Sequence, residues 1–381
     1  MKKVFNKLTI SVTLFILVIT CFFGCAKKNN DPIEPQTTEI KNVIIVIGDG
    51  MGLEQIKAGE IYERKDYAFK KWHNTTVNTD SINGTSYVLT DSAAGGTAIA
   101  TGTLTKNGYV GKTPQGNDLE TVLDLAKTLG KSTAVITTDK LYGATPASFS
   151  AHSLSRDNEN EIIESQINTS NVDILCGTFS ATCQSYLSLI KEKGYEYCTD
   201  FSAIDEILNK DKHYWQFDLA GAGATVELYE VVEKALTVLE KDQDGFTMMI
   251  EQAYIDKYCH NNEIEGTVKS VKSLNQTVEL IMQWIGKRKD TAVLITADHE
   301  TGGLKISDNQ NEIDDSWSLL PNKSSKYYKY TTGDHTRTPI GLFTYGITPK
   351  FEEFTFYKSA TLIKNIETNQ IIKNAILNKT A

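Results

Sequence analysis

The sequence predicts an α/β fold in which a large, mostly parallel central sheet carries helices on both faces. Short runs rich in Val, Ile and Thr alternate along the chain with segments of helical periodicity, the order that βαβ units produce. These runs are apolar throughout, as expected for strands that are buried on both faces of a sheet. Five strands are predicted, within residues 41–48, 132–138, 246–251, 291–297 and 339–346.

Helices are predicted between these strands, within residues 118–130, 225–241 and 266–286. A further helix is predicted where the chain reads VLTDSAAGGTAIATG, residues 88–102, with Thr90 or Asp91 as its N-cap. This segment holds Ala, Gly and Thr where a packing helix would carry larger apolar residues. We therefore expect a bulky group to approach the first turn of this helix closely.

The first 39 residues are predicted to lie outside the folded domain. Three lysines among the first seven residues precede an apolar run, residues 8–24, that ends at Cys25. This pattern is typical of a bacterial lipoprotein signal, and the alternative is an uncleaved N-terminal anchor. We predict a signal peptide over 1–24, a lipidated flexible tether over 25–39 and a single folded domain over 40–381. A lipid on Cys25 would place the protein in the cell envelope, attached to a membrane and facing the periplasm.

Charge and cysteine content narrow the function classes. The net charge of −9 argues against specific nucleic-acid binding, because an acidic surface repels a polyanion. Chemistry on phosphate groups would need local positive charge from Arg, Lys or a metal ion. The cysteines beyond Cys25 have no zinc-finger spacing, and both disulfides and free buried thiols are open interpretations. They are Cys176, Cys183, Cys198 and Cys259.

Acidic residues and histidines recur where the predicted strands end. In chain order they are Asp49, Glu251, Asp256, His260, Asp298, His299 and, before the last strand, His335. Ligands of open α/β sheets bind beyond the carboxyl ends of the strands, so one sheet edge would bring these side chains together. Imidazole with carboxylate suits zinc, and carboxylate with hydroxyl suits magnesium. Singly, each has a plainer interpretation, as a turn or cap residue or as a packed histidine.

Ser92 stands at the predicted start of the helix in residues 88–102. Backbone N–H groups and the helix dipole make this a natural place for an anion. Serine is a weak nucleophile unless a base or a metal activates it, and no histidine lies nearby at triad spacing. A metal could activate Ser92 instead, and Arg156 could hold phosphate oxygens in a bidentate fork. The plainer interpretation of Ser92 is a second N-cap residue.

Six motifs together resemble the alkaline phosphatase family. They are IGDGMG, TDSAAGGTAIATG, ATPASFSAHSLSR, IEQAYIDKYCH, TADHETGG and GDHT. They occur in the family's order and span roughly residues 42–346. The resemblance implies that residues 40–381 form one catalytic domain of that fold.

The resemblance also implies a role for each matching residue. Ser92 would be the nucleophile that becomes phosphoserine, and Arg156 would bind phosphate. One zinc ion would be held by Asp49, Asp298 and His299, and the other by Asp256, His260 and His335. A third site, for magnesium, would be formed by Asp49, Thr145 and Glu251.

The chain departs from the family pattern in two places. Gly143 stands where family members usually carry Asp or His near the third metal. In members that carry the acid, it usually pairs with a lysine. That lysine is matched by Lys257, which would bind phosphate through water or be a solvated helix residue. The segment between Gly303 and Gly333 is short, which indicates a compact form without a large accessory lobe. The family's usual homodimer is a weaker expectation for such a form.

The resemblance implies hydrolysis of small phosphate monoesters to an alcohol and inorganic phosphate. Two other functions stay open at this point. One is a phosphodiesterase or sulfatase-like hydrolase of the same superfamily. The other is a lipoprotein that binds phosphate or metal without catalysis.

Overall fold

A ten-stranded sheet forms the centre of the computed structural model, which describes residues 39–354 and 362–379 apart from positions 171, 310 and 323. The chain divides at residue 37 into two units, and every element named below belongs to the second. The predicted signal peptide, Cys25 and the tether up to residue 38 lie outside the described residues and stay predictions. In the part that is described, no helix is both long and apolar enough to span a bilayer.

The strands alternate with helices along much of the chain. The strands are β1 (Asn42–Gly48), β2 (His73–Asn78), β3 (Ser81–Asn83), β4 (Ser86–Val88), β5 (Ser132–Thr137), β6 (Ile174–Thr178), β7 (Glu196–Cys198), β8 (His213–Phe217), β9 (Phe246–Gln252), β10 (Thr291–Thr296), β11 (Glu300–Thr301), β12 (Lys305–Ser307), β13 (Ser318–Leu319), β14 (Tyr327–Lys329), β15 (His335–Thr336), β16 (Ile340–Tyr345) and β17 (Ile363–Lys364). The helices are α1 (Leu53–Glu63), α2 (Ser92–Thr101), α3 (Val122–Thr128), α4 (Ala144–Ser150), α5 (Glu159–Asn168), α6 (Ala181–Gln184), α7 (Leu187–Glu192), α8 (Leu228–Leu239), α9 (Tyr254–His260), α10 (Ile264–Ile285) and α11 (Asn365–Ile376).

The central sheet is mostly parallel, as predicted. Its strand order is β17-β2-β16-β10-β1-β9-β5-β6-β8-β7, and the strands from β10 to β7 all run parallel to one another. All five predicted strands form, as β1, β5, β9, β10 and β16. Strand β16 runs antiparallel to β10, which an apolar run alone does not reveal. No described helix lies between β10 and β16, so the crossover that a parallel pair needs is missing.

Helices cover both faces of the sheet. One group, α1, α8, α9 and α10, packs together, and a second group, α2, α3, α4 and α11, does so separately. Both groups contact the central strands β1 and β9, which places them on opposite faces. The central strands are buried along their whole length, β1 and β10 among them. The three predicted inter-strand helices correspond to α3, α8 and α10.

Two open points of the sequence are decided by the fold. The cysteines beyond Cys25 are free and buried: Cys176, Cys183, Cys198 and Cys259. Between Gly303 and Gly333 the described residues form only a small three-stranded sheet, β12-β14-β13. The chain is therefore a compact form at this position, as its length predicted.

The strand register brings the chemically active residues to one edge. Strands β10, β1, β9 and β5 are neighbours, and their carboxyl ends lie side by side. Asp298 follows β10, Asp49 follows β1, and Glu251 lies at the end of β9. Glu251 is also in register with Thr137 at the end of β5. The predicted acidic residues thus lie at the carboxyl ends of the parallel strands, where ligands of such sheets bind.

Candidate active site

Two groups of three side chains meet beyond this edge, and each could hold a metal ion. The first, named here the buried triad, consists of Asp49, Asp298 and His299. The second, the open triad, consists of Asp256, His260 and His335. Within each triad the candidate ligand atoms all lie within 4.8 Å of one another. The structure thus divides the six residues into the same two groups that the resemblance implied for zinc.

The buried triad closes around one ring nitrogen of His299. Asp298 Oδ2 lies 3.2 Å and Asp49 Oδ1 lies 3.6 Å from His299 Nε2. The side chains of Asp298 and His299 are wholly buried. Asp298 Oδ2 and Asp49 Oδ1 accept no hydrogen bond from any described residue. Buried carboxylate oxygens without a donor are costly unless a cation binds them, so this arrangement fits a metal ion.

The buried triad carries more negative charge than positive charge. Burial, together with the carboxylates of Asp298, Asp256 and Glu251, raises the pKa of Asp49 well above its usual value. Burial lowers the pKa of His299, so its imidazole is neutral near pH 7. Neutral imidazole is the form that binds metals. A divalent cation would relieve the repulsion among the acids without competing for a proton on the ring.

Ser92 contacts the buried triad directly, since its Oγ lies 3.1 Å from His299 Nε2. In a Ser–His–acid triad the acid accepts a hydrogen bond from the other ring nitrogen. Here the other nitrogen, His299 Nδ1, faces the hydroxyl of Thr301 at 3.2 Å. The acids lie instead on the Nε2 side, together with Ser92. His299 is therefore oriented as a metal ligand beside the serine rather than as its general base.

The open triad places one carboxylate between two imidazoles. Asp256 Oδ2 lies 3.3 Å from His260 Nε2, and Asp256 Oδ1 lies 3.7 Å from His335 Nε2. The two Nε2 atoms are 3.2 Å apart. His260 Nδ1 donates to the carbonyl of Gly333, and His335 Nδ1 donates to that of Thr90. Because a carbonyl can only accept, both protons are held on Nδ1 and both Nε2 atoms are directed at the shared site.

Thr301 connects the two triads, a role that the sequence did not suggest. Its hydroxyl donates to Asp256 Oδ1 at 2.5 Å and lies 3.2 Å from His299 Nδ1. A hydroxyl that donates to the carboxylate can accept from the ring, which fixes the proton of His299 on Nδ1. Thr301 is wholly buried and is in register with His335 across the β11–β15 pair. The one sequence feature that could have indicated this role is the position of Thr301 two residues after His299, the spacing at which side chains of a strand share a face.

Asp91 is the N-cap of α2, one of the two caps predicted. Its Oδ1 accepts from the backbone of Ala94 at 2.9 Å, and Ser92 is the first residue of the helix. Asp91 Oδ2 accepts from Gly108 N at 2.9 Å and lies 3.3 Å from Arg156 Nη1. One carboxylate thus shapes the helix start and holds the guanidinium of Arg156 beside it. The side chain of Arg156 is 37% exposed, which leaves donors for an incoming anion.

The small residues of α2 serve a purpose different from the predicted one. The expectation was that they leave room for a bulky ligand. A Cβ on Gly95 would lie 2.8 Å from the backbone oxygen of Asp298, and a Cβ on Gly96 would lie 3.1 Å from Ser148. All ten residues of the helix are buried. The small residues therefore admit the Asp298 loop and α4, and this close packing brings Ser92 to the buried triad.

A third group of oxygen atoms lies beside the buried triad. Glu251 is 1% exposed and accepts from the hydroxyl of Thr137. Burial, with a contribution from the charge of Asp139, raises the pKa of Glu251 to about 8. Thr145 Oγ1 is buried and has no hydrogen-bond partner among the described residues. Together with Asp49 these groups offer carboxylate and hydroxyl oxygens, the donor set that suits magnesium.

Lys257 is paired with an acid, although Gly143 offers none. Asp139, which follows β5, accepts a hydrogen bond from Lys257 Nζ at 2.5 Å. Burial alone would lower the pKa of Lys257, but the charge of Asp139 outweighs it and the pKa is raised. The ammonium group also lies 4.6 Å from the ring centroid of Tyr254. Lys257 is therefore a fixed cation at the edge of the site, and its partner Asp139 was missed from the sequence.

Comparison with known proteins agrees with this geometry. A family model described as alkaline phosphatase matches residues 40–182 and 208–375, most of the chain. The chain belongs to the alkaline phosphatase family. Alkaline phosphatase 4 of Bacillus subtilis (strain 168) is 32% identical over 320 residues, which cover 76% of this chain and 67% of that enzyme. Alkaline phosphatase 3 of the same strain is 33% identical over 293 residues, covering 70% of this chain and 63% of its own.

Solved structures of alkaline phosphatases share the fold. The alkaline phosphatase of the Antarctic bacterium TAB5 is 25% identical, has a TM-score of 0.76, and is matched over 89% of this chain and 99% of its own. A single-residue variant of that enzyme, 26% identical to this chain, has been solved with magnesium bound. Its TM-score is 0.75 over 89% of this chain and 98% of its own. The predictions of family, of fold and of an enzyme of the alkaline phosphatase family are confirmed.

Proposed function

We propose that this alkaline phosphatase family member hydrolyses small phosphate monoesters through a phosphoserine on Ser92, with zinc in both triads. The observation that carries the proposal is the surroundings of His299 Nε2. Two buried carboxylate oxygens without a donor and the Ser92 hydroxyl all face this one neutral nitrogen. This arrangement would hold a cation against the serine, which is how a serine without a general base becomes a nucleophile.

The residues of the site would act in a defined order. When bound, zinc at the two triads would stabilise the deprotonated serine and the charge on the departing oxygen. Ser92 Oγ, which has lost its proton to solvent, forms a bond to phosphorus while the bond from phosphorus to the ester oxygen breaks, and that oxygen takes a proton from solvent and leaves as the alcohol. A water oxygen then forms a bond to phosphorus as the bond to Ser92 Oγ breaks; one proton of this water returns to Ser92 Oγ, and inorganic phosphate is released. Arg156 would donate two hydrogen bonds to non-bridging oxygens throughout.

Magnesium would occupy the third group, formed by Asp49, Thr145 and Glu251. The donor set is oxygen only, and Thr145 Oγ1 is a buried hydroxyl without a partner in the described chain. Magnesium bound in the TAB5 variant supports this assignment. Lys257 would contact the phosphate group through water, as a cation already fixed at the site edge by Asp139.

The cellular setting follows from the N-terminal sequence. We propose that residues 1–24 are removed, that Cys25 carries a lipid, and that the catalytic domain faces the periplasm on its tether. Phosphate monoesters outside the cytoplasm would be the substrates. A homodimer is proposed on the family resemblance alone.

The first test compares two chromogenic esters with the full chain in detergent, loaded with zinc and magnesium. We expect p-nitrophenyl phosphate to be hydrolysed at alkaline pH at least 100-fold faster than bis-p-nitrophenyl phosphate, a difference of about 2.7 kcal/mol. Ser92→Ala should abolish turnover with its zinc content unchanged, while Ser86→Ala, an exposed serine on β4, should be neutral. Acid quenching with radiolabelled phosphate should label wild type and not Ser92→Ala.

Three outcomes would overturn the proposal. Faster hydrolysis of the diester would indicate a phosphodiesterase. Full activity of Ser92→Ala would exclude the serine as nucleophile. Bound zinc with no turnover of either ester would leave a phosphate-binding or metal-binding protein.

A further inference from the structure

An ion pair outside both triads links two elements of the site. Asp139 lies two residues beyond the end of β5, and Lys257 directly follows Asp256 on α9. Lys257 Nζ donates to Asp139 Oδ1 at 2.5 Å. The side chain of Asp139 is 25% exposed and that of Lys257 is 39% exposed, so the pair is partly shielded from solvent. It joins the end of β5 to α9, the helix that carries Asp256 and His260 of the open triad.

Backbone contacts hold Asp139 in place. Its N–H donates to the hydroxyl of Thr137 at 2.9 Å, and the same hydroxyl donates to Glu251. Its carbonyl accepts from the backbone of Thr178 at 2.7 Å. These hydrogen bonds fix the backbone of Asp139 on both sides of its Cα, so its short side chain reaches a smaller volume than the long side chain of Lys257 does. The acid therefore determines where the ammonium group lies, and the flexible lysine adapts to it.

Gly143 provides the space that the Asp139 carboxylate occupies. A Cβ built on Gly143 would lie 2.9 Å from Asp139 Oδ2 and 3.0 Å from the carbonyl of Lys140. The backbone of Gly143 has φ −56° and ψ 155°, which any residue can adopt. Space, and not backbone conformation, is therefore what a side chain at this position would change. A Cβ at position 143 would make the carboxylate of Asp139 shift from its present place.

We propose that Asp139 is the positioning residue of Lys257 for phosphate binding, and that the absence of a side chain at Gly143 leaves the space for its carboxylate. The acid that pairs with the lysine is thus supplied four residues earlier along the same loop. This inference rests on the proposed function, because it assumes that the anion held by Lys257 is the phosphate group. Tyr254, whose ring lies against the ammonium group, limits the remaining directions in which Lys257 can donate.

The test measures phosphate binding as well as turnover. In the full chain loaded with zinc and magnesium, Asp139→Asn should raise KM for p-nitrophenyl phosphate and Ki for inorganic phosphate about tenfold, the effect of losing one charge-assisted contact. Lys257→Ala should do the same, and the double variant should be no worse than Lys257→Ala alone. Calorimetric titration of phosphate into each variant on a Ser92→Ala background gives a readout without turnover. Asp205→Asn, which removes an exposed partner of Lys234, is the matched control and should have no effect.

Exchanging the two positions separates positioning from a general structural role. Gly143→Ala should weaken phosphate binding as Asp139→Asn does, because the methyl group displaces the carboxylate. The double variant Asp139→Gly with Gly143→Asp should regain most of the phosphate affinity, since the acid returns in the freed space. Thermal unfolding of each variant shows whether the fold is intact. If Gly143→Ala is unstable, Asp139→Asn, which keeps the side-chain volume, tests the loss of the carboxylate in its place.

The failures of the two proposals are distinguishable. Absence of monoesterase activity in wild type would overturn the proposed function and, with it, the phosphate role given to Lys257. An active wild type in which Asp139→Asn keeps its phosphate affinity would overturn only the role of Asp139. Additive losses from Asp139→Asn and Lys257→Ala would likewise show that the two residues act independently.

Discussion

The two triads lie side by side yet differ in charge and in exposure. The buried triad has two carboxylates and one imidazole, and Asp298 and His299 are wholly buried. The open triad has one carboxylate and two imidazoles, and the side chain of His260 is 38% exposed. In the proposed mechanism the first site would hold a cation against Ser92 away from solvent. The second would be the place where the alcohol leaves and a water molecule enters.

The pKa values of the side chains also differ between the two triads. Burial and neighbouring acids raise the pKa of Asp49 in the buried triad. Burial would raise the pKa of Asp256 as well, but its hydrogen bonds to His260 and Thr301 outweigh burial and lower the pKa to about 2. The hydrogen bond to Asp256 raises the pKa of His260 to about 9. The buried triad therefore lacks positive charge when metal-free, whereas the open triad supplies its own by protonation.

The largest expected effect comes from breaking the buried triad. Asp298→Asn keeps the side-chain volume but removes the charge of a carboxylate whose Oδ2 accepts no hydrogen bond from any described residue. We expect the loss of one zinc ion per chain and a decrease in kcat/KM on the order of 1,000-fold, the equivalent of several kcal/mol. Zinc content by mass spectrometry and steady-state kinetics measure both. Asp308→Asn, at an exposed ion pair, is the control, and unchanged zinc content in Asp298→Asn would refute the assignment.

A substitution in the open triad should reduce activity less than one in the buried triad, and excess zinc should restore much of the lost activity. His260→Gln removes one of two imidazoles from a site that solvent reaches. We expect zinc affinity and kcat/KM to fall by about 10- to 100-fold, with much of the activity recovered in excess zinc. Kinetics over a zinc titration measure this recovery. If Asp298→Asn recovers in excess zinc as well as His260→Gln does, the difference between the triads is not one of burial.

Thr301 allows the coupling between the triads to be tested. Thr301→Val is nearly isosteric and removes the hydroxyl shared by Asp256 and His299. We expect a decrease of about tenfold in zinc affinity at both sites rather than at one, as for other residues that orient metal ligands. Chelator competition resolves the two binding steps. Thr247→Val, at a wholly buried threonine on β9, should leave both steps unchanged. Weakening of a single step in Thr301→Val would disprove the coupling.

The smallest expected effect is the change in stability of the metal-free protein with pH. The pKa of Glu251 is raised from 4.5 to about 8, and that of His260 from 6.5 to about 9. Between about pH 6.5 and 9 the folded chain therefore binds more protons than the unfolded chain, so stability falls as pH rises. Burial lowers the pKa of His299, whose opposite contribution is confined to lower pH.

Thermal unfolding in EDTA at pH 6.5, 8 and 9 measures this loss. With zinc and magnesium the decline should disappear, because metal binding requires deprotonated ligands. His260→Gln should remove the contribution of His260, which spans about pH 6.5 to 9, and leave the contribution of Glu251 below about pH 8. A melting temperature of the metal-free protein that rises toward pH 9 would contradict the charge difference between the triads.

Residue type and position relative to the strands were enough to predict much of this site from the sequence. The strand-end rule located Asp49, Glu251 and Asp298, because every parallel strand delivers its next residue to the same edge. The rule did not distinguish Asp139 from an ordinary turn residue, although it follows β5 in the same way. Its role depends on which way Lys257 points and on the absent side chain at Gly143, and neither is visible in a local pattern.

Other features depend on contacts between distant segments. The antiparallel direction of β16 and the contact of Gly95 with Asp298 follow from how elements pack after the chain has folded. The shared hydroxyl of Thr301 depends on the side-chain direction set by the β11–β15 pair. Periodicity reports burial along one element and carries no information on its partners.

The two-residue pairing of β11 with β15 also determines where this chain can tolerate change. Thr301 is opposite His335, and Gly302 N donates to the carbonyl of Asp334 at 2.9 Å. Both ends of residues 303–333 are thereby clamped beside the open triad, whatever lies between them. Lengthening a closed loop costs only about 0.6 kcal/mol for each doubling. We therefore expect this segment to accept a grafted domain or a binding module with zinc stoichiometry unchanged, which makes it a site for evolutionary insertion and for engineering.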